Sequence, residues 1–245
     1  MNHSMKKITP VLALIIGIFS FSSCTAEAKS FEMTPQDIAS GFVEVWKADY
    51  QKIQESNAMM LGEGKAFLAD LTGDGLPELF FLYDDYKNAG VVVYNISGKK
   101  IEFLGSFTAS SFYNAEDLVF ELYSGSSGNL LYTKSVQYGG PMDNRNWVTE
   151  VFAGLSDGKL HTRTLSSVIY TDGTKVEYWN SAEDGTNISE EEYTKRRNKI
   201  LGDCVLLDTI VLPKDGTICE FTNDETLQEY ILILLDTYLE TNTAE

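Results

Sequence analysis

Six glycine-bearing turn signals fall at short intervals through the middle of this chain and confine it to short strands. They are Thr72-Gly73-Asp74-Gly75, Asn95-Ile96-Ser97-Gly98, Ser124 to Gly128, Tyr138-Gly139-Gly140-Pro141, Ser156-Asp157-Gly158 and Thr171-Asp172-Gly173. Between and around them lie Pro77 to Asp84, Gly90 to Asn95, Leu118 to Tyr123, Leu130 to Val136, Trp147 to Phe152 and Lys175 to Trp179, rich in β-branched and aromatic residues. Runs of that length bounded by Asp-Gly and Ser-Gly read as strands joined by hairpins, and repeated hairpins predict an antiparallel meander.

Helical periodicity brackets this region. Thr34-Pro35 offers an N-cap followed by proline at the first helical position, and Ile38, Phe42, Val45, Trp46, Asp49 and Ile53 recur mostly three or four apart, predicting an amphipathic helix over about 35–55. Ser189 with Glu192 three residues on is a capping box, opening a charged helix to about Ile200. Leu227, Tyr230, Ile231, Leu234 and Leu235 predict a last helix over about 224–239. The expected fold class is α+β: an antiparallel β meander, in one or more sheets, with N-terminal and C-terminal helices packed on it.

The N-terminus reads as an address rather than as fold. Lys6 and Lys7 precede an apolar run from Ile8 to Phe21 that is short for a membrane span. Phe21-Ser22-Ser23-Cys24 then resembles the lipobox of bacterial lipoproteins, which implies a signal peptide over 1–23, lipidation of Cys24, a polar tether over 24–33 and one domain over 34–245 on the extracellular face of the membrane. Two acyl chains suffice for stable anchoring where one is marginal. The other reading is an ordinary secretory peptide cut near Cys24 or Ala26, and on both the domain is outside. Residues 1–23 hold two lysines and no acid, so their removal takes the formal charge from −17 to −19. That charge argues against nucleic acid and anionic head groups as partners and favours cations.

One segment carries recognisable chemistry: Asp70-Leu71-Thr72-Gly73-Asp74-Gly75-Leu76-Pro77-Glu78, between the strand-like Ala66-Phe67-Leu68 and Leu79-Phe80-Phe81-Leu82. Calcium takes six to eight oxygen ligands, and alternate residues of a tight loop can aim oxygens at one centre while a glycine at the sixth position permits the bend. The candidate ligands are Asp70, Thr72, Asp74 and Glu78 by side chain and Leu76 by its carbonyl. An EF-hand is excluded, because its twelfth position would be Phe81. The competing reading is an Asp-Gly hairpin turn with solvated acids.

The segment resembles the calcium loop of FG-GAP and VCBS-type repeats, as in the integrin β-propeller, whose pattern is D-x-[DN]-x-D-G-x-x-[DE]. It is also similar to a single D-x-D-G-D-G-x-P-E-L segment in secreted proteins and lipoproteins of Gram-positive bacteria, which often carry I-S-E-E-E-Y near their ends, where this chain has Ile188 to Tyr193. The resemblance implies a structural calcium site. Thr72 departs from it, standing where those families have Asp or Asn; with a neutral ligand there, a dissociation constant on the order of 0.1 to 1 mM is expected. A full propeller is not expected, since blades repeat four to eight times and the motif occurs once.

Cys204 and Cys219 lie in an oxidising compartment on this reading. A hairpin of Val205 to Leu212 about the turn Lys214 to Thr217 would join them as a disulfide; two separately buried thiols is the alternative. His161 is the only histidine after the signal peptide, which makes a Ser-His-Asp, Cys-His or multi-histidine zinc centre hard to assemble. Trp147 and Trp179 sit in strand patterns; rings there pack in cores more often than they form a sugar platform. The expected function is therefore a cell-surface lipoprotein without catalysis that binds a glycan or a protein, its calcium loop structural. The alternatives are a glycan hydrolase working through two carboxylates about 5 to 9.5 Å apart, and an envelope structural or inhibitory protein without metal.

Overall fold

A computed structural model describes residues 31–56, 62–84, 88–111, 117–126, 128–138, 145–170, 176–179 and 186–242. The signal peptide, Cys24 and most of the tether lie outside these residues, as do the turn at 139–141 and the turn at 171–173. Among the described residues no helix is long and apolar enough to cross a membrane.

The fold is α+β: the described residues form two antiparallel sheets and three helices, and the sheets close into neither a barrel nor a propeller. Helix α1 (Pro35–Ser56) leads into β1 (Glu63–Ala69), β2 (Glu78–Asp84), β3 (Asn88–Ser97) and β4 (Lys100–Ser110), which form one sheet. A second sheet follows in β5 (Leu118–Gly125), β6 (Gly128–Tyr138), β7 (Arg145–Ser156), β8 (Lys159–Tyr170), β9 (Val176–Trp179) and β10 (Asn187–Ile188). Helix α2 (Glu190–Leu201), β11 (Val205–Leu212), β12 (Cys219–Glu220) and α3 (Asp224–Asn242) complete the order. The five-stranded sheet runs β12-β1-β2-β3-β4 and the seven-stranded one β10-β9-β8-β7-β6-β5-β11.

The layers follow from which side chains each strand buries. In β2, Phe80 and Leu82 point into a core between the sheets with Phe67, Val91, Phe120 and Val151, while Leu79 and Phe81 point the other way onto α1 and α3. A strand buried on both faces needs apolar residues at consecutive positions, which is why Leu79-Phe80-Phe81-Leu82 does not alternate. Trp46 of α1 is fully buried at the centre of the outer core, 4.5 Å from Phe81 and 5.2 Å from Phe221 between ring centroids. Each such ring stabilises the fold by about 2 to 3 kcal/mol through burial. Helix α2 covers the outer face of the seven-stranded sheet, with Tyr193 against Phe152 and Leu165.

The helix starts are capped as their sequences predict. The Thr34 hydroxyl accepts from Asp37 N at 3.2 Å and donates to its carboxylate at 2.7 Å, and Ser189 accepts from Glu192 N at 3.1 Å.

Cys204 and Cys219 are free thiols. The hairpin that would have bridged them does not form: β11 pairs with β5 on the edge of the large sheet, and β12 pairs with β1 on the edge of the small one. The intervening Pro213 to Ile218 therefore passes from one sheet to the other. Cys219 is buried in the outer core, whereas Cys204 lies against Gly125.

Candidate functional site

The acidic loop joins β1 to β2, with Ala69 and Glu78 paired across its base. Gly73 and Gly75 have φ of 73° and 88°, the left-handed backbone that glycine adopts without strain. The loop is held by its own acids. Asp70 accepts from the backbone N–H of Gly73 at 2.7 Å, Asp74 at 3.2 Å and Gly75 at 2.9 Å, and from the Thr72 hydroxyl at 3.2 Å. Asp74 accepts from Leu76 N at 2.8 Å. Glu78 is buried and takes both its bonds on Oε2, from Leu71 N at 2.7 Å and Thr72 N at 3.1 Å. Burial, with the nearby Asp70 charge, pushes its carboxyl up to about 7, against the opposing pull of those two amides and of the Thr72 hydroxyl. Asn129 on β6 donates to the Asp70 carbonyl at 2.7 Å and ties the loop to the second sheet.

The five predicted ligands thus share one loop, in which the Thr72 hydroxyl lies 3.2 Å from Asp70 Oδ1. Asp74 and Thr72 are exposed, Leu76 is half-buried and Glu78 points inward. Among the described residues no group of three or more His, Cys, Asp or Glu side chains is placed to hold a metal ion. The donor types suit calcium; in this arrangement their lone pairs serve the loop's own amides.

The two strand tryptophans are not in the core. Trp147 is 38% exposed, and its ring lies 6.3 Å from that of Trp179. Antiparallel register brings further groups to the same face: Trp147 stands opposite Val168, which stands opposite Glu177; Ser166 stands opposite Trp179; and Arg145 stands opposite Tyr170. The Arg145 guanidinium lies 5.6 Å from the Trp147 ring centre, and Tyr170 donates to Glu177 at 3.5 Å. Ser166 Oγ and Trp179 Nε1 are buried without a hydrogen-bond partner. Three adjacent strands thereby present a shelf of aromatic rings rimmed by one cation and one carboxylate. Arg145, Tyr170 and Glu177 escape a reading of the sequence, although Arg145 two residues before Trp147 marks a shared face.

A second cluster holds α2 in place. Glu150 accepts from Tyr132 at 2.7 Å, from Arg197 Nε at 3.0 Å and from Tyr193. Burial opposes ionisation of Glu150, but the two tyrosines and Arg197 outweigh it and hold its carboxyl below the usual range. A carboxylate so stabilised as an anion suits docking and not proton donation. His161 is exposed on β8. Compared with protein-family models, with curated proteins and with solved structures, this chain matches none.

Proposed function

We propose that this chain is an exported, lipid-anchored binding module of the cell surface that takes a neutral glycan on the shelf of Arg145, Trp147, Tyr170, Glu177 and Trp179. The observation that carries the reading is the exposed Trp147 ring beside the half-buried Trp179, 6.3 Å apart. Indole faces stack on the C–H faces of a sugar ring, while a guanidinium and a carboxylate reach its hydroxyls. A neutral glycan fits the shelf because its two charged groups, the Arg145 guanidinium and the Glu177 carboxylate, balance each other. Covering the exposed part of Trp147, about 100 Å² of a large ring, contributes about 2 kcal/mol, so Trp147→Ala should weaken binding about 30-fold. The test is a panel of neutral oligosaccharides read by quenching of tryptophan fluorescence. Quenching in wild type is expected, with binding measured by calorimetry weakened about 30-fold in Trp147→Ala and weakened as well in Trp179→Ala. A panel without a binder, or a binder indifferent to both substitutions, would overturn the reading.

Cys24 supplies the anchor on this reading, so Cys24→Ala should release the protein from cells; a variant that stays bound to them would refute it. The acidic loop has a structural part. Asp70, Thr72, Asp74, Glu78 and the Leu76 carbonyl would turn from their amide partners onto a calcium ion, which would stiffen the β1–β2 hairpin. That exchange keeps the affinity low, on the order of 0.1 to 1 mM. Calorimetric titration of calcium into chelator-treated protein checks it: one weak site lost in Asp74→Ala is expected, and no heat at several times that concentration would leave the loop a plain turn.

A further inference from the structure

A cleft of about 580 Å³ opens where the C-terminal end of α2 meets β6, β7 and β8 near the β7–β8 turn, at the other end of that hairpin from the tryptophan shelf. His161, Arg163 and Lys199 all line it. Helix α2 carries four cations, and three are matched within the protein: Lys195 and Arg196 face Glu192 at 3.9 and 2.7 Å, and Arg197 faces Glu150 at 3.0 Å. The fourth, Lys199, is exposed and has no ion pair or side-chain hydrogen bond among the described residues, and the same holds for Arg163 and His161.

Two features of the lining are negative, Asp203 and the carbonyl end of α2. Lys199 sits in the last turn, where it offsets the helix's C-terminal partial charge. The charge left over is that of Arg163, with His161 two residues before it on the same face of β8 and so about 6.6 Å away along the strand. The rest of the molecule's negative charge does not decide the matter, since surface charges beyond about 8 to 10 Å are screened at physiological salt. A guanidinium fork matches two oxygens of a tetrahedral oxyanion, and the ammonium and imidazole can take the others. The cleft falls within the range of roughly 300 to 1,000 Å³ typical of small-molecule sites and is far larger than a bare oxyanion, and the hydroxyls of Ser126 and Thr162 in its lining suit a polyhydroxylated body.

We propose that this cleft binds a small polyhydroxylated molecule bearing a phosphate or sulfate ester, held through Arg163, Lys199 and His161. The test titrates the full chain with glucose 6-phosphate, with inorganic phosphate and with glucose at matched ionic strength. Binding is read by calorimetry and by the ring resonances of His161, assigned with His161→Asn. Glucose 6-phosphate should bind more tightly than inorganic phosphate, glucose not at all, and the His161 resonances should move at saturation. Arg163→Gln and Lys199→Gln, both at exposed positions, should each weaken binding about tenfold or more, as loss of a charged hydrogen bond does, with the melting temperature and the Trp147 fluorescence response unchanged. Equal affinity for inorganic phosphate would overturn the ester and leave free anion as the ligand. No binding of either at millimolar concentration, or binding that survives in the double variant, would overturn the site itself.

Discussion

Replacing Glu78 with glutamine should abolish a defined part of the protein's pH dependence. Burial raises the Glu78 carboxyl from an ordinary 4.5 to about 7 in the folded chain, so between those values the folded state binds a proton that the unfolded state has released. Stability linked to this group is therefore fully present below about 4.5, declines as pH rises towards 7 and is constant above it. At about 1.36 kcal/mol per pH unit, the separation is worth about 3 kcal/mol. Both loop amides bond to Oε2, at 2.7 and 3.1 Å, so a proton on the other oxygen leaves them satisfied. A glutamine can present its carbonyl to the same amides and its NH₂ where the O–H was. Urea unfolding of wild type and Glu78→Gln in chelator, at intervals from pH 4.5 to 8, should therefore show the variant gaining on wild type by about 3 kcal/mol across the range. A constant difference would refute the assignment and show that Glu78 is ionised throughout. Calcium added at pH 8 should act in the opposite direction, stabilising wild type alone, if the carboxylate turns onto the ion.

Arg197→Met should leave Glu150 buried with one fewer counterpart and destabilise by about 2 kcal/mol, discounted because the arginine is about one-third exposed; hydrogen exchange should locate the loss in α2. The same carboxyl has its affinity for protons lowered by folding, so its contribution is present above about 4.5 and lost as pH falls below that value, a trend Glu150→Gln should remove. Lys65 is 2% exposed on β1 and donates to the carbonyls of Pro213 and Lys214, so Lys65→Met should cost about 1 to 3 kcal/mol in urea unfolding and free the passage between the sheets. Alkylation under non-reducing conditions should label Cys204 in the native protein and Cys219 only after unfolding, since burial pushes the Cys219 thiol up to about 12; an unfolded chain in which neither Cys204 nor Cys219 takes up label would establish the disulfide instead.

What the sequence discloses and what it hides divide along a physical line. Local devices are legible: the Thr34 and Ser189 caps, the three helices, the hairpin turns at Asn95 to Gly98 and Ser156 to Gly158, and the strands preceding those turns. The strands that follow them, β4 and β8, are not. Leu165, Ser166, Ser167 and Val168 of β8 are all buried, because α2 lies on one face and the other strands' side chains on the opposite one, and a strand covered on both sides loses its alternation. Pairings between distant segments are equally hidden. β11 completes the large sheet against β5 and β12 the small one against β1, so local reading of Val205 to Cys219 suggests a hairpin where the chain changes sheets. The acidic loop is legible as a loop, but the inward turn of Glu78 is not, because it depends on Leu71 being drawn into the core.

The same layering argues where this molecule can bind anything. The small sheet is covered by α1 and α3 on one face and by the large sheet on the other, so its central strands serve as scaffold, while its edge strand β4 leaves Phe103 54% exposed. The large sheet is wider than either of its covers. On its inner face β4 crosses β8 so closely that a Cβ on Gly105 would lie 2.6 Å from Leu160 Cβ, a contact only glycine allows. That crossing is near the β7–β8 turn, so cover on the inner face gives out towards the opposite end of the hairpin, where Trp147 is exposed beside Trp179. On the outer face α2 is pinned through Glu150, Tyr193 and Arg197 and ends at Leu201, bordering the cleft that holds Arg163. Each candidate surface thus begins where a covering element stops, one aromatic and one cationic, at opposite ends of the same two strands. If both are occupied at once, rigid strands connect them, and binding at one should leave affinity at the other unchanged unless a bistable element joins them, of which the layering shows none among the described residues.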